Sequence, residues 1–208
     1  MKFQCRCTRF TRLWRSALFA VTLAALATAL FAAAADIPPV ASRGDRTAIV
    51  LDFASPVSRS FLNALSDEIR LPSRGIVPAS SVWILRRDFL AGEEYPHILQ
   101  VELRGNCAAT ELPNHASPGP LGWVFGQGGA IGSVAFVDCD RVAATLSSLT
   151  NSMPASQRQQ LLARAVARVM IHELAHIETQ SAAHVPHSLR QPTLSAGELI
   201  AQKLPDGF

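Results

Sequence analysis

The chain has no Cys-x-x-Cys pair, no basic cluster after position 15, a single tyrosine and no glycine between Gly132 and Gly197. The first absence leaves its four cysteines without metal-ligand spacing. The second removes the electrostatic footprint that nucleic-acid binding requires. Neither an internal repeat nor a long linker is present, which excludes a repeat array and points to one domain. Only one long apolar run occurs, from Ala17 to Ala35.

That run follows Lys2, Arg6, Arg9, Arg12 and Arg15 and ends in Ala33-Ala34-Ala35 before Asp36, the layout of a cleaved signal peptide over residues 1–35. Retention of the segment as a membrane anchor competes with this, but the run is barely long enough to span and is poor in Leu and Ile. Five of the nineteen basic residues lie here, leaving fourteen against sixteen acidic ones, so the mature chain carries a net charge of −2. The +3 of the whole chain therefore belongs to the targeting segment and argues for no nucleic-acid partner and no stable membrane association after cleavage. The expected location is secreted or periplasmic.

Export also removes Cys5 and Cys7 and leaves Cys107 and Cys139 as one pair. A bridge between them closes a loop of about thirty residues and stabilises the fold by roughly 3–4 kcal/mol in an oxidising compartment. Two buried thiols are the alternative. Residues 36–46, with two prolines, form a loose lead-in, and residues 47–208 suit one domain with its own core.

Within that domain Thr47 to Phe53 reads as a buried strand, and Ser58 caps a helix to Arg70 with Phe61, Leu62, Leu65 and Ile69 on one face. Ser81 to Leu85 and the alternating Leu99, Val101 and Leu103 supply two further strands. The Pro-, Asn- and Ser-rich stretch from Gly105 to Pro120 reads as a surface loop with a solvated His115, and His97 is solvated likewise. Leu121 to Phe125 and Ile131 to Asp138 form a hairpin across Gly126-Gln127-Gly128-Gly129. No Lys-Ser/Thr follows those glycines, which excludes a phosphate loop. A short helix covers Arg141 to Leu149. After Met153-Pro154, a capping box at Ser156 and Gln159 opens a long helix to about Glu178. The class is α+β, a small mixed sheet packed on helices.

Near the end of the long helix stand His172, Glu173 and His176, in H-E-x-x-H spacing. Helical residues four apart lie about 40° round and about 6 Å along the axis, so both imidazoles reach one ion. Glu173 lies about 60° round from His176, close enough for a carboxylate to take the proton of a water. The buried stripe Leu162, Val166, Val169 runs on into Glu173 and His176. A carboxylate buried beside two imidazoles with no ion or hydrogen bond is costly, which favours a metal over a bare structural role.

Catalytic zinc takes three protein ligands and leaves one position open. His184 is the nearest third donor. On a continued helix it would sit about 18 Å along and about 120° round from His172, so it can serve only if the chain turns between Glu178 and Ala183. Glu198, from a second helix, and His187 compete for the third position. His187 as a fourth ligand would instead close the site and make the ion structural. Tyr95, Arg190 and His187 receive no catalytic role, and no oxyanion stabiliser is marked.

With His184 following, His172-Glu173-x-x-His176 resembles the motif of the zincin metallopeptidases, most nearly a metzincin-like group of small secreted bacterial proteins. The likeness extends upstream to the paired strands and to Asp138-Cys139-Asp140-Arg141-Val142. It implies a zincin-like single domain with a long active-site helix, Zn2+ at His172, His176 and His184, and Glu173 as general base in hydrolysis of a peptide or protein substrate. It also implies that Leu121–Phe125 or Ile131–Asp138 holds that substrate by strand addition. Thr179 and Ala182 stand where such helices carry a glycine and the third histidine, and no methionine follows Met170 to make a methionine turn. The alternative function is an exported binding or interaction protein that keeps the fold and cleaves nothing.

Overall fold

Five strands and four helices make up the part of the chain described by a computed structural model, residues 46–70, 76–78, 80–90, 92–108, 118–186 and 188–203. The expected signal peptide, the lead-in before Arg46, His115 and His187 lie outside the described residues. In order the elements are β1 (Thr47–Phe53), α1 (Arg59–Arg70), β2 (Val82–Leu85), a 3-10 turn (Arg86–Asp88), β3 (His97–Arg104), β4 (Gly122–Gln127), β5 (Ala130–Asp138), α2 (Cys139–Thr150), α3 (Ala155–Thr179) and α4 (Ala196–Ile200).

The strands form one mixed sheet in the order β2-β1-β3-β5-β4. β1 pairs in parallel with β2 and β3, and β3 with β5, while β4 runs antiparallel to β5 at the edge. The α+β class with a mixed sheet on helices is thus as the sequence implies. Lying between two parallel neighbours, β1 buries Ala48, Ile49, Val50 and Leu51 in succession, a continuous apolar run of the kind found in parallel strands. Leu99, Val101 and Leu103 of β3 are buried and alternate with half-exposed Gln100 and Glu102.

One side of the sheet meets the helices. Ile49, Leu51, Val101, Leu103, Ala135 and Val137 join a core with Phe61, Leu65 and Ile69 of α1, Val142 and Leu146 of α2, and the apolar positions of α3 from Leu162 to Ile177. Ser58 Oγ accepts the Phe61 N–H at 3.1 Å, which is the cap expected for α1. α3 is the axis of the assembly, since it packs on α1, α2, α4 and the β4–β5 hairpin.

Three local expectations are corrected. β4 runs on to Gln127 through a bulge between Val124 and Gly126, and the turn is only Gly128-Gly129, whose φ values of 63° and 87° suit the two-residue hairpin type. α2 starts at Cys139, two residues early, because the Asp138 carboxylate accepts the Arg141 N–H at 3.0 Å and caps the helix directly at the strand end. The capping box of Ser156 and Gln159 does not form: α3 starts at Ala155 behind Pro154, whose φ of −56° already suits helix entry. Gln159 instead donates to Ser58 Oγ at 2.7 Å and accepts from Ser60 Oγ at 2.9 Å, tying α3 to the start of α1.

Cys107 and Cys139 form a disulfide, Cα–Cα 5.0 Å, which joins the end of β3 to the start of α2. The same turn is held by Asp140, which accepts the Asn106 N–H at 3.1 Å. Arg141 pairs with Asp138 at 3.2 Å and donates to the Pro120 carbonyl at 3.1 Å, fixing the chain where it enters β4.

Candidate metal centre

The last three turns of α3 carry the motif into the interior. Val169, Glu173, His176 and Ile177 are buried, with Glu173 at 6 % exposure, because this stretch lies against the hairpin. The helix ends where the sequence requires it to, by a device that the sequence does not advertise. Gln180 adopts a left-handed conformation, φ 48° and ψ 38°. Its N–H reaches the Ile177 carbonyl and the Ser181 N–H reaches the His176 carbonyl, each at 3.2 Å, the bonding of a Schellman motif without its usual glycine.

A side chain in that conformation costs about 1–2 kcal/mol, and the Gln180 amide offsets it. Its oxygen accepts the Ile131 N–H at 2.9 Å, while its nitrogen donates to the carbonyls of Ile131 at 3.1 Å and Ile177 at 2.8 Å. Gln180 therefore ends α3 and staples that end to β5.

Beyond the turn the chain doubles back, bringing His184 to the helix pair. The ring centroids of His172, His176 and His184 are separated by 4.7, 5.4 and 4.9 Å. One nitrogen of each lies within 4.8 Å of the others, so these three residues can hold a metal ion. Glu198 does not join them. Its carboxylate accepts from Ser195 N–H at 2.8 Å, Ser195 Oγ at 2.6 Å and Gln191 Nε2 at 2.8 Å, because it closes the capping box of α4. Tyr95 bonds to Glu93 at 3.2 Å and packs on Phe89, and it lines no part of the centre.

The bonding of the two helix histidines fixes their protons. His172 Nδ1 faces the Leu189 carbonyl at 2.6 Å and His176 Nδ1 faces the Ser181 carbonyl at 2.7 Å. A carbonyl only accepts, so each Nδ1 carries the hydrogen and each neutral ring presents a bare Nε2 lone pair. Those two Nε2 atoms face one another across 3.1 Å. Two acceptors aimed at each other repel unless a proton or cation lies between them. Burial, opposed by the Leu189 bond and reinforced by the charges of His176, His184 and Arg190, pushes His172 down to about 4, which disfavours the proton. Burial, with the charges of His176 and Arg190 adding to it, also lowers His184. The donor set therefore fits a metal cation.

Glu173 lies beside this set without occupying it. Its Oε1 is 4.0 Å from His172 Nε2, and burial pushes its carboxyl up to about 7. A group poised there can both accept and return a proton at neutral pH. The three histidines and Glu173 line a cavity of about 460 Å³, which Gly122 and Val124 border from β4, Leu121 from just before it, and Ala182, Thr193 and Leu194 from the returning chain.

Gly122 decides how closely β4 can approach. A Cβ there would meet Val169 Cγ1 at 2.7 Å and Glu173 Oε1 at 2.8 Å. Gly122→Ala is accordingly expected to destabilise the fold by about 1–3 kcal/mol in urea unfolding, the usual cost of overpacking, and to push the Glu173 carboxylate out of place. Of the two strands considered for strand addition, β5 is excluded, since it is paired on both sides by β3 and β4. β4 is the edge, and among the described residues no strand pairs with its other side.

No protein-family model, curated protein or solved structure matches the chain.

Proposed function

We propose that this chain is an exported zinc-dependent metallopeptidase of zincin-like fold. The observation that carries the reading is the pair of Nε2 lone pairs facing across 3.1 Å, with a third imidazole and a buried carboxylate alongside. His172, His176 and His184 would hold the ion. Zinc bound there would lower the pKa of a coordinated water and polarise the scissile carbonyl.

Three parts of the chemistry fall to residues of the chain. The carbonyls of Leu189 and Ser181 keep the helix imidazoles in the ligating tautomer. Glu173 accepts a proton from the attacking water and delivers it to the leaving amine as the C–N bond breaks. The edge of β4 supplies backbone N–H and C=O groups to an extended peptide or protein substrate, which adds as a further strand. A signal peptide over residues 1–35 and the Cys107–Cys139 bridge support passage to an oxidising compartment, secreted or periplasmic.

Metal analysis of residues 36–208, joined to digestion of a broad peptide library, tests the reading. One zinc per chain and cleavage that stops with chelator and returns with zinc are expected. Zinc without cleavage, or neither zinc nor cleavage, would overturn the peptidase reading and favour the non-catalytic binding protein, which needs no metal.

A further inference from the structure

His184 sits on neither a helix nor a strand and is exposed, so something besides secondary structure must hold it over the helix pair. The ends of its loop are fixed by the helix histidines themselves, through the carbonyls of Ser181 and Leu189. Between those anchors the residues on either side of His184 are both tied to Arg190. The Arg190 guanidinium donates from Nη2 to the Ala183 carbonyl at 3.4 Å, and the Arg190 carbonyl accepts the Val185 N–H at 3.0 Å. Buried Ser188 completes the loop: its hydroxyl donates to the Val185 carbonyl at 2.9 Å and accepts the Arg190 N–H at 3.0 Å.

We propose that Arg190 is a positioning residue, closing the 183–190 loop around His184 so that the third imidazole is in place before an ion arrives. The role in metal capture rests on the metallopeptidase reading, whereas the closure of the loop does not. A ligand already held in its bound position loses less conformational freedom when the ion arrives, and groups that orient metal ligands are typically worth about 10–100-fold in metal affinity. Arginine suits the task because its charge is fixed and its donors are planar.

Two measurements on the same variants test this. In metal-free protein, Arg190→Ala is expected to speed hydrogen exchange of the Val185 amide by at least about tenfold while leaving the exchange of β3 unchanged, as local rather than global opening requires. In zinc titrations against a competing chelator, Arg190→Ala should weaken zinc binding by about 10–100-fold, and Arg190→Lys, which keeps a charged donor, should recover part of it. Unchanged Val185 exchange overturns the proposal, as does unchanged zinc affinity in a variant whose loop has loosened. A wild-type chain that takes no zinc overturns the metallopeptidase reading, and the exchange result still decides the closure of the loop.

Discussion

Glu173→Gln is expected to lower kcat for peptide hydrolysis by about 10²–10⁴-fold, the usual worth of a positioned proton-transfer group, with zinc content unchanged. Zinc should stay because Glu173 is not one of the three clustered donors. The loss cannot be put down to unfolding. Burial sets the folded-state carboxyl of Glu173 at about 7 against an ordinary 4.5, so the metal-free native state prefers the protonated form. That contribution is complete below about pH 4.5 and is lost as pH rises through 7, about 3 kcal/mol in all. The glutamine does not titrate. At pH 8 the metal-free variant is therefore expected to be more stable than wild type in urea unfolding. His172, pushed down to about 4, loses its contribution as pH falls below 6.5 and does so in both chains. Unchanged hydrolysis by Glu173→Gln would sink the mechanism.

His184→Ala is expected to weaken zinc by about 10²–10³-fold. Structural zinc sites are worth about 10–16 kcal/mol over four ligands, or about 2.5–4 kcal/mol for each, and that is the loss expected when one of three is removed. Glu198→Gln is the informative control. Its carboxylate is engaged by Ser195 and Gln191 at the start of α4, so the variant should cost about 1 kcal/mol of stability and leave zinc affinity unchanged. The reverse pattern, with affinity lost in Glu198→Gln and kept in His184→Ala, would assign the third position to Glu198.

What could be read in advance was local. The Thr47–Phe53 strand follows from a continuous apolar run, and the Phe61, Leu65 and Ile69 face and the buried stripe ending in Glu173 and His176 follow from a period of 3.6 along the chain. The necessity of a turn before His184 followed from helix geometry alone. The means of making that turn did not, because Gln180 depends on Ile131, forty-nine residues away, and nothing near Gln180 in sequence announces the contact.

Gly122 was hidden for the same reason. A glycine in a strand is unremarked until its contact with Glu173 and Val169 is known. Gln159, matched to a capping pattern three residues from Ser156, is drawn off by Ser58, 101 residues earlier. Arg168 also gave no signal: it is fully buried in α3 and donates to the carbonyls of Glu198 and Ala201 at the end of α4, beside the 2.6 Å pair of Arg164 with Glu68. Each of these residues was chosen by long-range packing, which overrides local propensity.

The most direct test is X-ray absorption at the zinc edge of protein loaded with one equivalent of the metal. The account predicts three imidazole nitrogens at about 2.0–2.1 Å and one position left to solvent, with one imidazole nitrogen fewer when His184 is replaced. A closed shell of four protein ligands, or a spectrum unaffected by His184→Ala, would contradict it.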